Sequence, residues 1–176
     1  VFATTVLVAD YYDAKIPLPP HDILFNGIGD ADICGNRLAA AAALVARRRR
    51  PVINDPRAVM RTGRLANVER LRGIPNLVVP RIAKVPRHRL AHGAAAETVA
   101  AHGLSLPLLV RAPGFHTGRH FVRAETADAL AAAAERLPGD ETWLIEQLDA
   151  RDADGMFRKL RVMIVGRKLH PLHLAI

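Results

Sequence analysis

Apolar residues along the chain fall in short β-branched runs, separated by polar breaks rich in Gly and Pro and by alanine-rich stretches of helical character. Thr5 to Ala9 (TVLVA) reads as a buried strand closed by Asp10. Asp10 to Pro20 is polar, ends in Pro-Leu-Pro-Pro and reads as a loop. Asp22 to Asn26 is a second strand, broken by Gly27 and Gly29. Asp30 or Asp32 is placed to cap a helix running through the alanines to Arg50, with Arg47 to Arg50 at the end where the helix dipole favours cations. Pro51 stops that helix, and Val52-Ile53 makes a third short strand. Two short helices are predicted near Pro56 to Met60 and Gly63 to Arg72.

Beyond about residue 80 the pattern changes. Arg81 to Val85 reads as a strand and Pro86 to Ala101 as a helix weakened at Gly93. Leu108 to Ala112 and His120 to Ala124 are strands around a glycine-bearing loop, and Thr126 caps a helix through Arg136. Trp143 to Gln147 is a strand, and Asp149 to Gly155 a polar loop. Leu160 to Val165 and Lys168 to Leu174 are strands joined tightly at Gly166. Their alternation puts Lys159, Arg161 and Met163 on one face, with Leu160, Val162 and Ile164 on the other. The same alternation predicts that His170 and His173 face opposite sides. The expected architecture is α/β: a parallel α/β lobe over residues 1–80, then an α+β lobe with antiparallel strands over 81–176.

Composition narrows the classes. With 176 residues, half of them apolar, the chain is long enough to bury a core without disulfides or a structural metal. Its longest apolar run, Leu38 to Ala46, is too short to span a bilayer, so no membrane partner is expected. A single cysteine, Cys34, excludes an internal disulfide and suggests a cytoplasmic setting. The net charge of +8 comes from 21 Arg and 4 Lys against 17 acidic residues, and favours an anionic partner. Nucleic acid is disfavoured: aromatic residues are 5% of the chain, which leaves few stacking platforms. His88 and His92 share a helical spacing but have no third ligand, so no metal site is expected from these residues.

Three segments carry candidate chemistry. Leu108 to Val122 (LLVRAPGFHTGRHFV) ends a strand in Arg111 and continues into a loop with Gly114, Phe115, His116, Thr117 and Gly118. Glycines let such a loop approach a ligand closely, its N–H groups can cradle an anion, and Arg111 supplies charge for phosphate oxygens. The spacing is not that of a P-loop, which needs G-x-x-x-x-G-K-[ST] leading into a helix. Ile145 to Leu148 closes an apolar strand on Glu146 and Gln147, groups able to take a ribose hydroxyl or an adenine amine. Arg158 to Arg161 brings cations into the final hairpin.

The order of these segments resembles the ATP-grasp superfamily, which includes glutathione synthetase and D-alanine–D-alanine ligase. Pro51 to Pro56 followed by Thr62-Gly63-Arg64 is similar to the family's opening segment. Leu108 to Gly118 resembles its nucleotide-binding strand and flexible loop, Ile145 to Leu148 its adenine-binding hinge, and Arg161 to Gly166 the strand pair that follows. The chain is particularly similar to ATP-grasp-like domains at the ends of some bacterial tetratricopeptide-repeat proteins. The resemblance makes residues 1–80 a pre-ATP-grasp lobe and 81–176 a partial ATP-grasp lobe, incomplete at its C-terminus and covalently part of a larger polypeptide.

What the resemblance implies is specific. Arg64 and Arg111 match lysines on the nucleotide phosphates, and Gly114, Phe115, His116, Thr117 and Gly118 match the loop over them. Glu146, Gln147 and Leu148 match the adenosine contacts, and Arg161 matches a basic catalytic residue beside the acyl phosphate. ATP and Mg2+ are the implied cofactors, with the magnesium ligands expected downstream of the chain, and an unknown carboxylate and amine the implied substrates. Arginine at both lysine positions is a departure, since its planar fork is not a lysine's point charge. A non-catalytic interaction module of a larger repeat protein is therefore the alternative. Association through the exposed final strand is also expected.

Overall fold

A computed structural model describes residues 3–13, 15–46, 50–91, 93–115 and 118–175. The chain divides into two compact units, Val1–Glu146 and Gln147–Ile176.

In the first unit, β1 (Leu24–Phe25) and β2 (Val52–Ile53) form a short parallel pair. Between them runs α1 (Gly35–Ala46), which buries Leu38, Ala41 and Ala42 at the i, i+3, i+4 spacing of one helix face. The helix begins later than expected because neither aspartate caps it. The Asp30 carboxylate accepts from the Asp32 N–H at 3.0 Å, and Asp32 turns towards a different helix. The Arg47 to Arg49 part of the predicted helix end lies outside the described residues. The helix α2 (Pro56–Met60) starts as its sequence dictates, with the Asp55 side chain accepting from the Arg57 N–H at 2.8 Å and Pro56 in the first turn. The helix α3 (Arg64–Arg72) follows.

The expected strand at Thr5 to Ala9 does not form. Residues 3–8 have no regular structure, a short 3-10 turn occupies Ala9–Tyr11, and Val6 is 83% exposed. A strand needs a neighbour for its N–H and C=O groups. Among the described residues β1 and β2 pair only with each other, so the apolar run has no ladder to join.

A four-stranded antiparallel sheet in the order β3-β6-β4-β5 follows. It comprises β3 (Ile82–Pro86), β4 (Leu108–Arg111), β5 (Phe121–Ala124) and β6 (Glu141–Glu146). The predicted helix over 86–101 splits into a 3-10 turn at Arg87–Leu90 and α4 (Ala95–Ala101), broken around Gly93, whose φ is +79°. The helix α5 (Ala127–Arg136) is capped by the Thr126 hydroxyl, which accepts from the Ala129 N–H at 3.1 Å. One sheet face carries Ala83, Val85, Leu108, Val110, Ala124 and Leu144 into a core shared with Val99, Leu130 and Ala134 of the two helices.

In the second unit, β7 (Lys159–Val165) and β8 (Lys168–Ala175) form an antiparallel hairpin. Its register shifts between Arg161, opposite His173, and Val162, opposite Pro171, so Leu172 is one extra residue on β8. The bulge overturns the expectation for the histidines. His173 pairs with Arg161 and His170 with Met163, so both share the Lys159–Arg161–Met163 face. The other face holds Leu160, Val162, Ile164, Leu169, Pro171 and Leu174, wholly apolar.

Candidate functional site

The sheet face away from the core is set by register. Lys84 on β3 stands opposite Trp143 on β6, and Trp143 stands opposite Arg111 on β4. Three adjacent strands thus present Lys84, Trp143 and Arg111 side by side. Trp143 is 1% exposed and lies under two cations. The Arg64 guanidinium is 5.8 Å from its ring centroid and the Lys84 ammonium 6.0 Å, both within cation–π range. The Trp143 indole N–H is buried without an acceptor. A donor left so is costly. Of the cations around it, Arg64 is paired with Asp32 and Lys84 with Glu141, while Arg111 stands opposite Trp143 on the neighbouring strand.

Arg64 opens α3 and is held by Asp32. Its Nη1 donates to Asp32 Oδ2 at 2.8 Å, and its backbone N–H donates to the two carboxylate oxygens at 3.2 and 3.3 Å. Gly63 makes room for this contact, because a Cβ there would come 2.8 Å from Asp32 Oδ1. A cleft of about 200 Å³ is lined by Gly29, Asp30, Ala31, Asp32, Thr62 and Arg64.

Arg111 ends β4 and reaches back into the loop after it, donating from Nη2 to the Phe115 carbonyl. Burial lowers the pKa of its guanidinium from the ordinary value, and the positive charge of Arg64 lowers it further, against the attraction of Asp30. The loop is closed by the Ala112 N–H donating to the His120 carbonyl at 3.1 Å, beside the edge-on contact of the Phe115 and His120 rings. Gly114 and Gly118 take φ of +80° and +76°, the left-handed region that makes glycine the fitting residue at both. A Cβ on Gly114 would sit 3.9 Å from Ile33, so the loop lies close to the segment that carries Asp32.

The predicted site residues fall in three places. Arg64, Arg111, Gly114, Phe115 and Gly118 belong to the first unit, while His116 and Thr117 lie outside the described residues. Glu146 ends β6, where its carboxylate accepts from the Arg81 N–H at 2.8 Å. Gln147, Leu148 and Arg161 belong to the second unit. The sequence reading missed Lys84 and Asp32. Lys84 has a local signal, one cation facing with Ile82 in a strand whose other face is Ala83 and Val85. Its placement beside Trp143 requires the β3–β6 register.

No protein-family model matches the chain, and no match is found among curated protein sequences. A solved structure does match: D-alanyl-alanine synthetase A from Vibrio cholerae O1 biovar eltor, at 14% identity and a TM-score of 0.52 over 88% of this chain. The chain has the ATP-grasp fold. It spans 44% of that protein's length.

Within this fold, Arg64 and Lys84 lie over Trp143 and Arg111 stands opposite it. Among the described residues no group of three His, Cys, Asp or Glu side chains could hold a metal ion. No described helix is long and apolar enough to cross a membrane.

Proposed function

We propose that the chain is the ATP-binding portion of an ATP-grasp carboxylate–amine ligase. A carboxylate oxygen attacks the γ-phosphorus of ATP, and ADP departs with the electron pair of the broken P–O bond. The amine then attacks the acyl carbon, expels phosphate and gives up a proton. Arg64, Arg111 and Lys84 hold phosphate oxygens, and the 114–118 loop covers them. Glu146, Gln147 and Leu148 hold adenosine, and Arg161 steadies the acyl phosphate. Residues 1–80 serve as the pre-ATP-grasp lobe and 81–176 as a partial ATP-grasp lobe.

The observation that carries this reading is the convergence of Arg64, Lys84 and Arg111 around the buried Trp143 on one sheet face of an ATP-grasp fold. A guanidinium or ammonium on phosphate gives a charge-assisted hydrogen bond, which supports a polyphosphate ligand above other anions of lower charge. The test compares ADP with adenosine by titration calorimetry. ADP is expected to bind and adenosine to bind at least about tenfold more weakly, because each charged hydrogen bond contributes about 1.5–3 kcal/mol. Equal affinity for the two would remove the phosphates from the account. Absence of binding by either would leave the non-catalytic module.

A further inference from the structure

We infer that Asp32 is an internal competitor of the nucleotide phosphate, a carboxylate that latches Arg64 and the first turn of α3 until phosphate displaces it. The inference rests on the ATP-binding reading above and adds a control to the same site.

Three features support it. First, the Asp32 carboxylate makes the contacts a phosphate would make. It takes the Arg64 guanidinium at 2.8 Å and the first backbone N–H of α3 at 3.2 and 3.3 Å, where the helix dipole favours an anion. Second, the contact joins residues 32 positions apart, and Gly63, which supplies no side-chain cap of its own, leaves the space that the carboxylate fills. Asp32 therefore holds this position across the fold. Third, Asp32 is part of the wall of two clefts, of about 200 and 460 Å³, and its neighbour Ile33 lies by Gly114 of the phosphate loop. The carboxylate thus sits one residue from a side chain that lies beside the loop proposed to cover the phosphates.

Two anions cannot share one guanidinium edge at these distances without mutual repulsion. Apparent affinity for nucleotide is then reduced by the fraction of molecules in which the latch is closed. The Arg111 guanidinium donates instead to a neutral group, the Phe115 carbonyl.

The test is calorimetric titration of ADP, without metal, into the full chain and its variants Asp32→Asn, Gly63→Ala and Asp10→Asn. Asp32→Asn removes the competing charge and is expected to tighten ADP binding about two- to fivefold, the scale of a part-exposed ion pair. Gly63→Ala keeps every charge but pushes the carboxylate away from α3, and is expected to tighten binding in the same direction. Asp10→Asn, whose carboxylate lines the larger cleft with Asp32 but pairs with Arg37 and not Arg64, separates general charge repulsion from the latch and is expected to change affinity less than Asp32→Asn. Unchanged or weaker binding by Asp32→Asn, with ADP bound by the unaltered chain, would overturn the latch and leave the ATP-binding reading intact. Failure of ADP to bind any of the four proteins would overturn both.

Discussion

Arg111 stands directly opposite Trp143 across β4 and β6, on the sheet face turned away from the hydrophobic core. Trp143 is the chain's one tryptophan and is 1% exposed, with Arg64 and Lys84 each within about 6 Å of its ring centroid. The indole thus acts as the floor on which the cations are set. Replacing it with alanine should leave a cavity and destabilise the first unit by about 3–5 kcal/mol. Urea unfolding followed by circular dichroism measures this. A Trp143→Ala midpoint equal to that of the unaltered protein would contradict the packing described.

The second unit carries a pH signature. The Arg151 guanidinium and its backbone N–H hold the Asp149 carboxyl down at about 2, below its ordinary value of 3.8. Arg158 likewise lowers Asp154. A carboxyl whose folded pKa is depressed contributes its stabilisation above the ordinary pKa and loses it as pH falls through the folded value. The Asp149–Arg151 pair should therefore be intact at about pH 4, half protonated near pH 2 and lost below it. Carboxyl carbon shifts recorded by NMR across that range check it, and a midpoint for Asp149 at the ordinary value would refute the pairing. Both side chains are well exposed, so the effect is confined to the loop.

The β7–β8 hairpin should drive self-association. Its apolar face aligns Leu160, Val162 and Ile164 with Leu174, Pro171 and Leu169, and Ile164 and Leu169 are each 69% exposed. An exposed apolar face bounded by strand edges is an association surface. The double variant Leu160→Lys/Ile164→Lys should raise the monomer fraction in sedimentation velocity at a fixed concentration, and an unchanged distribution would count against this role.

Elements defined by local chemistry are legible in the sequence. Thr126 announces α5, Asp55 and Pro56 announce α2, and the alternation in Leu160 to Val165 announces β7. What was not legible depends on partners distant in the chain. Thr5 to Ala9 has the composition of a strand but no ladder to join. Asp32 is chemically a good cap for α1, yet it serves Arg64 at the head of α3 instead. His170 and His173 come to share one face because of one extra residue on β8, which no count along β8 alone reveals. Of the candidate site, Arg111 and the glycine loop carry a local signal, whereas Arg64 was singled out only by the family resemblance. Their meeting over Trp143, and the addition of Lys84, follow only from the β3-β6-β4 order.

The most direct measurement is the emission of Trp143 during titration with ADP, in the unaltered protein and in Arg64→Met and Arg111→Met. The indole lies beneath the cations assigned to phosphate, so the account predicts a saturable change in emission. The half-saturation concentration should rise about tenfold or more in each variant, the loss of one charge-assisted hydrogen bond. An emission unaffected by ADP, or a titration identical in all three proteins, would contradict the assignment of this sheet face to the nucleotide phosphates.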